Sequence, residues 1–582
     1  MKQQGIALVV TLMILVVVGV LVFGASFTAM VEQWVTRNDR TATVAFYVAE
    51  AGLQEAKTRL FQSYRYALVR AVGSGNSLPS RSECSNPLAA GIDWNRDGVI
   101  EDTATYSEKL PFTYTATLPL GEAQGRYTVT IDTDPTRPRF MVVRSVGVFA
   151  GARSTVQATV ELSNTGPWNY AIFSGAGAAN QHLNGGATIR GGLYVVGDPN
   201  APEKVVIDAR GDFSMKNGYD LTGPGYGGVH TRVNPEMRRL DNLCATLRVQ
   251  YGRVEVGGSA QYGEPTNRLL GAYVGDEEAD IFGSAAGVCT NTKGVCADDR
   301  GVFDLDPNLA PRFPTFDGTR CSTDRNLTWR QCIQKEAEAQ GLRIMPGNLR
   351  YPGGALLNDP GGCATFLSQS ATAGAIVLDQ DPVDCTYSLS GYNPAGGFRY
   401  DPTRNPPRLE VYGTLEIVGL DLKLVGRGRT IEYRAYSFAQ RGKNAAIVVE
   451  RDPISGAGGS ILIGDSSANV SLLPDTTYAT FPNQVLALLA EREVHQIRKT
   501  QPSHVMAVIY AGQRFRTQKD NVTYGTIVTN EFCTTSAGGN NCNAGQKAEV
   551  VYIPTLQNLP AAARYPESTL AASFQITSYE RR

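Results

Sequence analysis

The chain opens MKQQGIALVVTLMILVVVGVLVFGASFTAM and carries no charged side chain from Ile6 to Val31. As a helix that run reaches about 39 Å, longer than the roughly 30 Å hydrocarbon core of a bilayer. A secretory signal has an apolar core of only about 7 to 15 residues behind a basic segment, and here Lys2 alone precedes the run. Lys2 should hold the N-terminus on the cytoplasmic side. Beyond Val31 only Gly52 interrupts a helix-permissive stretch, so one helix is predicted over 6–72, with a membrane span at 6–31 and a soluble half after it. Val35, Asn38, Ala42, Ala45, Ala49, Gly52 and Ala56 recur at threes and fours, a stripe of mostly small side chains. Such a stripe suits close packing on the protein's own domain and on neighbouring subunits.

After the helix the period changes from 3.6 to 2. FTYTATL, GRYTVTIDTD, RFMVVRSVGVFAG and RSTVQATVEL are rich in β-branched and aromatic residues, which predicts an antiparallel meander over 110–162. From Tyr170 onward short apolar runs are parted by glycine and asparagine, and Gly413, Gly419 and Gly426 bracket strands of four to six residues. That is the pattern of β-solenoid rungs, with a β-sandwich as the alternative. A cysteine-rich region at about 230–400 is expected to interrupt the solenoid as an insertion, with a helix in NLTWRQCIQKEAEAQG. A further helix is expected from Asn483 to Lys499, on an asparagine cap and the spacing Val485, Leu488, Leu489. The terminal ASFQITSYERR alternates like a strand.

The short leader ending QQG before the apolar helix, followed by AEAGLQEA, resembles the type IV pilin superfamily in its large, PilX-like minor-pilin branch. The order of parts resembles competence-associated minor pilins with an inserted β-solenoid. The resemblance implies an α+β fold: a pilin of long N-terminal helix and antiparallel β-sheet, with a large all-β domain inserted. Its parts would be a leader at 1–5, the helix at 6–72, a pilin head at 73–165, a solenoid cargo at 166–555, and a segment at 556–582 returning to the pilin sheet. It also implies that prepilin peptidase cuts after Gly5 and that Ile6 becomes the methylated first residue. The implied partners are other minor and major pilins, bound through the helix. The subunit would rest in the inner membrane before assembly and stand on an extracellular pilus afterwards, taking part in DNA uptake during natural transformation. No enzymatic role is implied.

One position departs from that family. Shaft pilins carry glutamate at the fifth mature residue, where this chain has Val10. That glutamate neutralises the terminal amine of the subunit nearer the tip, and a carboxylate without such a partner costs a few kcal/mol within a bilayer. Its loss suits a subunit with none above it, at the pilus tip or initiating assembly. The rival readings are a tip pseudopilin of a type II secretion system, which shares the missing glutamate, and a membrane-tethered β-helix protein that binds or cleaves polysaccharide.

With 54 basic and 55 acidic residues in 582, the chain has no global attraction to nucleic acid, so any such contact must be local. The strongest local candidate is KLVGRGRTIEYRAYSFAQRGK, where Lys423, Arg427, Arg429, Arg434, Arg441 and Lys443 face Glu432 alone and interleave with Tyr433, Tyr436 and Phe438. Guanidinium groups suit phosphates and aromatic faces suit exposed bases. Arg498, Lys499, Arg514, Arg516 and Lys519 would widen the patch, and a merely solvated surface is the alternative.

Ten cysteines, an even number, suggest disulfides in an oxidising compartment. Short loops favour Cys289 with Cys296, Cys321 with Cys332, Cys363 with Cys385 and Cys533 with Cys542. Cys84 and Cys244 remain and, if paired, would tie the pilin part to the cargo. DWNRDGVIED holds the first half of a calcium loop: Asp93, Asn95 and Asp97 at alternate positions, the carbonyl of Val99, and Glu101 or Asp102 in place of the twelfth-position glutamate, where Ala104 stands. The alternative is an Asx-rich turn; no cofactor is required, and calcium is the one candidate. His182, His230, His495 and His504 are scattered, with no HExxH or GxSxG, so catalysis finds no support.

Overall fold

The computed structural model describes residues 3–73 and 111–581, apart from 121–122, 134–139, 163–165, 179–181, 184–185, 276–277, 304–310, 347, 353–355, 358–361, 466–468, 499, 537–541, 543–545, 556–557 and 565–571. The chain divides into two compact units.

The first unit holds the helix α1 (Gln3–Gly73) as far as Tyr66, with an antiparallel sheet. The sheet runs β1 (Phe112–Leu120), β2 (Ala123–Thr133), β3 (Phe140–Phe149), β4 (Ala152–Leu162), and then the C-terminal strand Ala572–Arg581, which pairs antiparallel with β4. Ala45, Val48, Ala49, Leu53 and Ala56 of the helix are buried, as are Val129, Ile131 and Val143 of the sheet, and Gly125 and Gly147 of the sheet lie close against Val48, Ala45 and Ala49. Towards the N-terminus, Val35 and the residues from Leu8 are exposed, so only the second half of the small-residue stripe packs within the unit. At Gly147 a Cβ would collide with the backbone of both Ala45 and Ala49. Gly147→Ala is therefore expected to push α1 off the sheet and cost about 1–3 kcal/mol, a loss that thermal denaturation of the full chain would read.

The second unit is a three-faced parallel β-solenoid. Its strands alternate inward and outward: in Ile431–Tyr436, Ile431, Tyr433 and Ala435 are buried while Glu432, Arg434 and Tyr436 face out. Gly413 and Gly419 make corners with φ of 75° and 77°, a conformation that an L side chain adopts only under strain. One face stacks Gly341–Met345, Thr414–Val418, Asn444–Glu450 and Val485–Ala490 on the middles of His504–Gln518 and Val522–Thr535. It continues through Ile172–Gly177, Leu193–Val195, Thr246–Val249, Gly271–Val274 and Arg300–Gly301.

The order along this stack is not the order along the chain. The chain enters in the middle, winds to one end at Arg300–Gly301, crosses to the opposite end at Gly341–Met345, and winds back until Val522–Thr535 meets Ile172–Gly177. Thr526 Oγ1 closes this seam by donating to Tyr170 O at 2.7 Å, and Ser174 Oγ donates to Asn530 O at 2.8 Å. The crossing segment lies over the same face. Phe303 meets Tyr194, Phe313 and Phe316 stack on Tyr510, and the helix α2 (Trp329–Gln340) packs on Gly341–Met345 and Thr414–Val418. The α2 start is a capping box: Thr328 accepts from the Gln331 backbone N–H and the Gln331 side chain accepts from that of Thr328.

Two expectations change. The run from Asn483 is not helical but forms the strands Val485–Ala490 and Glu493–Gln496. All six residues of VLALLA are buried, on both sides of the strand, which erases the alternation that marks a strand. Nor is the solenoid interrupted from 230: rungs continue through Thr246–Val249, Arg253–Val256, Gln261–Tyr262 and Gly294–Val295 to Gly301. Disulfides join Cys289–Cys296, Cys321–Cys332, Cys363–Cys385 and Cys533–Cys542. Cys244 is also disulfide-bonded, and Cys84 lies outside the described residues.

Candidate nucleic-acid interface

The basic segment wraps three parts of one rung. Lys423 stands on Asp421–Leu424, Arg427 and Arg429 form the corner after it, Arg434 and Tyr436 point outward from Ile431–Tyr436, and Arg441 and Lys443 lie in the next corner. The six-residue strand between the corners holds them about 20 Å apart at roughly 3.3 Å per residue.

Adjacent rungs add what the segment alone does not show. The strand Arg408–Tyr412 pairs in parallel with Ile431–Tyr436, setting Arg408 beside Glu432, Glu410 beside Arg434 and Tyr412 beside Tyr436. An aromatic row results. The rings of Tyr412 and Tyr436 stack at 4.5 Å and 5°, and Tyr478 lies 4.6 Å from Tyr436 at 47°. The side chains of Arg399, Arg408, Tyr412, Asp475 and Tyr478 belong to this surface yet lie outside the segment singled out from sequence. The one-rung interval from Tyr412 to Tyr436 was the signal that would have found the row.

Much of the positive charge is spent within the protein. Arg434 Nε donates to Asp475 Oδ2 at 2.7 Å, and Arg408 reaches the same oxygen at 2.7 Å. Arg399 meets Asp384 at 2.7 Å, Arg514 pairs with Glu531, Arg516 with Glu493 and Arg498 with Asp520. Although burial acts the other way, hydrogen bonds from Thr477 and Arg434 and the charge of Arg408 hold the Asp475 carboxyl below the usual range. It stays ionised and keeps both arginines occupied. Lys519 is exposed, and Lys499 lies outside the described residues.

At the two corners, four cations keep their charge available. Arg441 and Lys443 are exposed, with the Arg441 guanidinium over the Tyr392 ring at 5.8 Å and Lys443 Nζ over the Tyr478 ring at 4.8 Å. Arg427 is exposed and donates to Gln380 O at 3.0 Å, while Arg429 donates to Pro402 O at 3.2 Å. The Arg441/Lys443 corner is the less acidic of the two, because Asp379 accepts the Arg427 backbone N–H at the other.

The expected base-stacking role of the aromatics does not hold at Tyr433. It is fully buried in the solenoid interior because its position has inward parity on the strand. Tyr436 is flanked by Tyr412 on one side and Tyr478 on the other, and Phe438 is half-buried. Burial pushes the Tyr478 hydroxyl up to about 12, so the row is neutral at physiological pH.

The other sequence candidates lie elsewhere. Gly5 and Ile6 fall in the first turns of α1, and Val10 is 49% exposed on its apolar part. α1 is long and apolar enough to cross a membrane. The calcium-like residues Asp93, Asn95, Asp97, Val99, Glu101 and Asp102 are outside the described residues, and no acidic or histidine cluster able to hold a metal occurs among the described ones.

Residues 4–54 match the PilX N-terminal family. The crystal structure of the competence-associated pilin ComZ from Thermus thermophilus superposes with a TM-score of 0.62 at 38% identity, over 93% of this chain and 97% of that one. No curated protein sequence matches.

Proposed function

The chain belongs to the type IV minor pilins of the PilX-like, ComZ-containing branch, and from that membership we propose that it works at the tip of a competence pilus, capturing extracellular DNA through its solenoid. The long apolar helix fits a membrane-anchored precursor that later assembles with other pilins. Val10 supports the tip position, since a subunit there has no neighbouring amine for a glutamate to neutralise. The DNA reading is carried by the two corners Arg427/Arg429 and Arg441/Lys443, whose cations are not consumed by carboxylates among the described residues.

Replacing all four with alanine is expected to lower transformation at least about tenfold, through lost phosphate contacts, while piliation is unchanged. Transformation at the parental level would remove these corners from the mechanism. Immunogold labelling should find the protein at pilus ends, and regular spacing along the shaft would contradict the tip position. A deletion strain that loses secretion but keeps transformation would favour the pseudopilin reading instead.

A further inference from the structure

We infer that the segment Gly218–Leu243 is a load-bearing strap, which keeps the two half-stacks of the solenoid joined when its outer rungs are pulled against the pilin unit. This goes beyond ligand capture and holds for whatever the rungs carry. The first half-stack runs from Ile172–Gly177 to Arg300–Gly301, and the second from Gly341–Met345 to Glu549–Tyr552. On the face that bears Ile431–Tyr436 they meet through three residue pairs, with Glu549, Val550 and Val551 beside Thr188, Ile189 and Arg190.

The strap leaves the first half-stack after Ser214–Lys216, and its base is closed where Tyr219–Asp220 pairs antiparallel with Arg239–Leu240. Its middle docks on the second. Val233 is fully buried and pairs in parallel with Phe481: the Asn234 N–H donates to Phe481 O at 2.9 Å, and the Phe481 N–H to Arg232 O at 2.8 Å. Side chains add to this. Arg232 donates to Pro474 O at 2.8 Å and pairs with Glu432, and Asn234 Oδ1 accepts from the Thr480 hydroxyl and, at 3.0 Å, from Asn483 Nδ2. The Tyr226 hydroxyl donates to Glu549 at 2.8 Å.

Between Ser214–Lys216 and Leu472–Pro474 the stack has five rung spacings, so the strap bridges about 24 Å at about 4.8 Å each. That span encloses sparse pairing. Leu472–Pro474 shares one residue pair with His504–Gln518, and the joint shares the three already named. A pull along the stack acts along the hydrogen bonds between rungs, which lie across the strands, so short pairings are where it opens. The strap carries load past both of them. The chain enters the first half-stack at Trp168 and leaves beside the second at Arg564, so a load on the outer rungs reaches the pilin unit partly across the joint. The crossing segment ties the half-stacks over one face, and the strap ties them over another.

The test is constant-force optical tweezers on the detergent-solubilised full chain, with handles on cysteines introduced at exposed positions. Thr266→Cys and Arg441→Cys place one handle on each half-stack, so the load crosses the joint. Arg441→Cys and Ile454→Cys place both on the second half-stack, where Ile454 is 95% exposed, so the load bypasses the strap. Arg232→Ala with Asn234→Ala is expected to open at least about tenfold faster than the parent in the first geometry, through the lost charged and buried hydrogen bonds. In the second geometry its opening rate should stay within about twofold of the parent's, because those bonds carry none of that load. Tyr226→Phe removes a single hydroxyl and keeps the ring, and should open about threefold faster in the first geometry alone. Unchanged opening across the joint for both variants overturns the inference. So does equal acceleration in the two geometries, which would make the strap a general stabiliser and no part of the load path. Circular-dichroism spectra matching the parent show that the variants are folded.

Discussion

Trp329→Ala is expected to destabilise the solenoid by about 3–5 kcal/mol, among the largest losses that a single truncation in this chain can produce. Trp329 is fully buried where the crossing segment meets the stack. Its ring packs edge-on against Phe316 at 4.6 Å and Tyr510 at 4.7 Å, and its Nε1–H donates to Ala562 O at 2.8 Å. Tyr510 in turn donates its hydroxyl to Pro314 O at 2.8 Å, so one aromatic cluster ties the crossing segment, a central rung and the chain's exit together. Truncation opens a cavity and also strands the Ala562 carbonyl. Trp329→Phe keeps most of the packing and loses only the donor, for an expected cost of about 1–3 kcal/mol. Urea unfolding of both variants separates the two contributions. A loss below about 1 kcal/mol for the alanine variant would mean that the crossing segment is not integral to the fold.

The second large effect is on pH dependence. Under α2 lie Glu416 and Glu450, both almost wholly buried, on adjacent rungs of the stack. Arg343 Nε stands 3.0 Å from Glu416 Oε2, and Arg330 pairs with Glu450 and, at 2.9 Å, with Glu491. Asp317 and Glu338 approach the same arginines from the crossing segment, and Arg451 meets Glu491 at 2.8 Å. Neither carboxylate oxygen of Glu416 accepts a hydrogen bond, nor does Oε1 of Glu450. Burial above all, and then mutual repulsion, raises the Glu416 carboxyl well above the usual range. Burial raises that of Glu450 too, against the pull of Arg330.

A carboxyl whose pKa is higher folded than unfolded keeps its proton in the folded state through the interval between the two values. Acid therefore favours folding across that interval, and the stabilisation is lost as pH rises through the folded value. His495 acts oppositely below about 6.5, since burial chiefly, and Arg516, hold it neutral with a pKa near 3. The carboxyl effect should thus stand clear between about pH 6.5 and 8, where stability is expected to fall by up to roughly 1.4 kcal/mol per pH unit for each such proton. Glu416→Gln removes one share, so the variant should gain on the parent as pH rises. A pH-independent difference between their unfolding free energies would show that Glu416 is already ionised in the fold.

What could be read locally was read from local pattern. The uncharged run from Ile6, the alternation of FTYTATL and its neighbours, and the Thr328 cap before WRQCIQKEAEAQ each encode one element through residues close in sequence. At Val485–Ala490, burial on two sides removes the alternation, and the remaining spacing of Val485, Leu488 and Leu489 mimics a helix. The interface was half legible. The cations Arg427, Arg429, Arg441 and Lys443 stand in one segment, but the carboxylates that neutralise its other arginines come from separate rungs. Asp475 reaches Arg434 from 41 residues away. Charge counted along a line overstated the charge presented by the face.

The sequence by itself determined an apolar helix of the pilin kind, a meander, and rungs with one inward side, because those depend on spacing within a few residues. Only the tertiary structure decided that the stack begins in the middle of the chain and closes at Thr526 with Tyr170, 356 residues away. The physical reason is that alternation tells a strand which side faces the core but not which strand lies above it. That choice is made by backbone pairing and by the packing of residues such as Trp329, Tyr436 and Glu416 against partners that only the fold brings near.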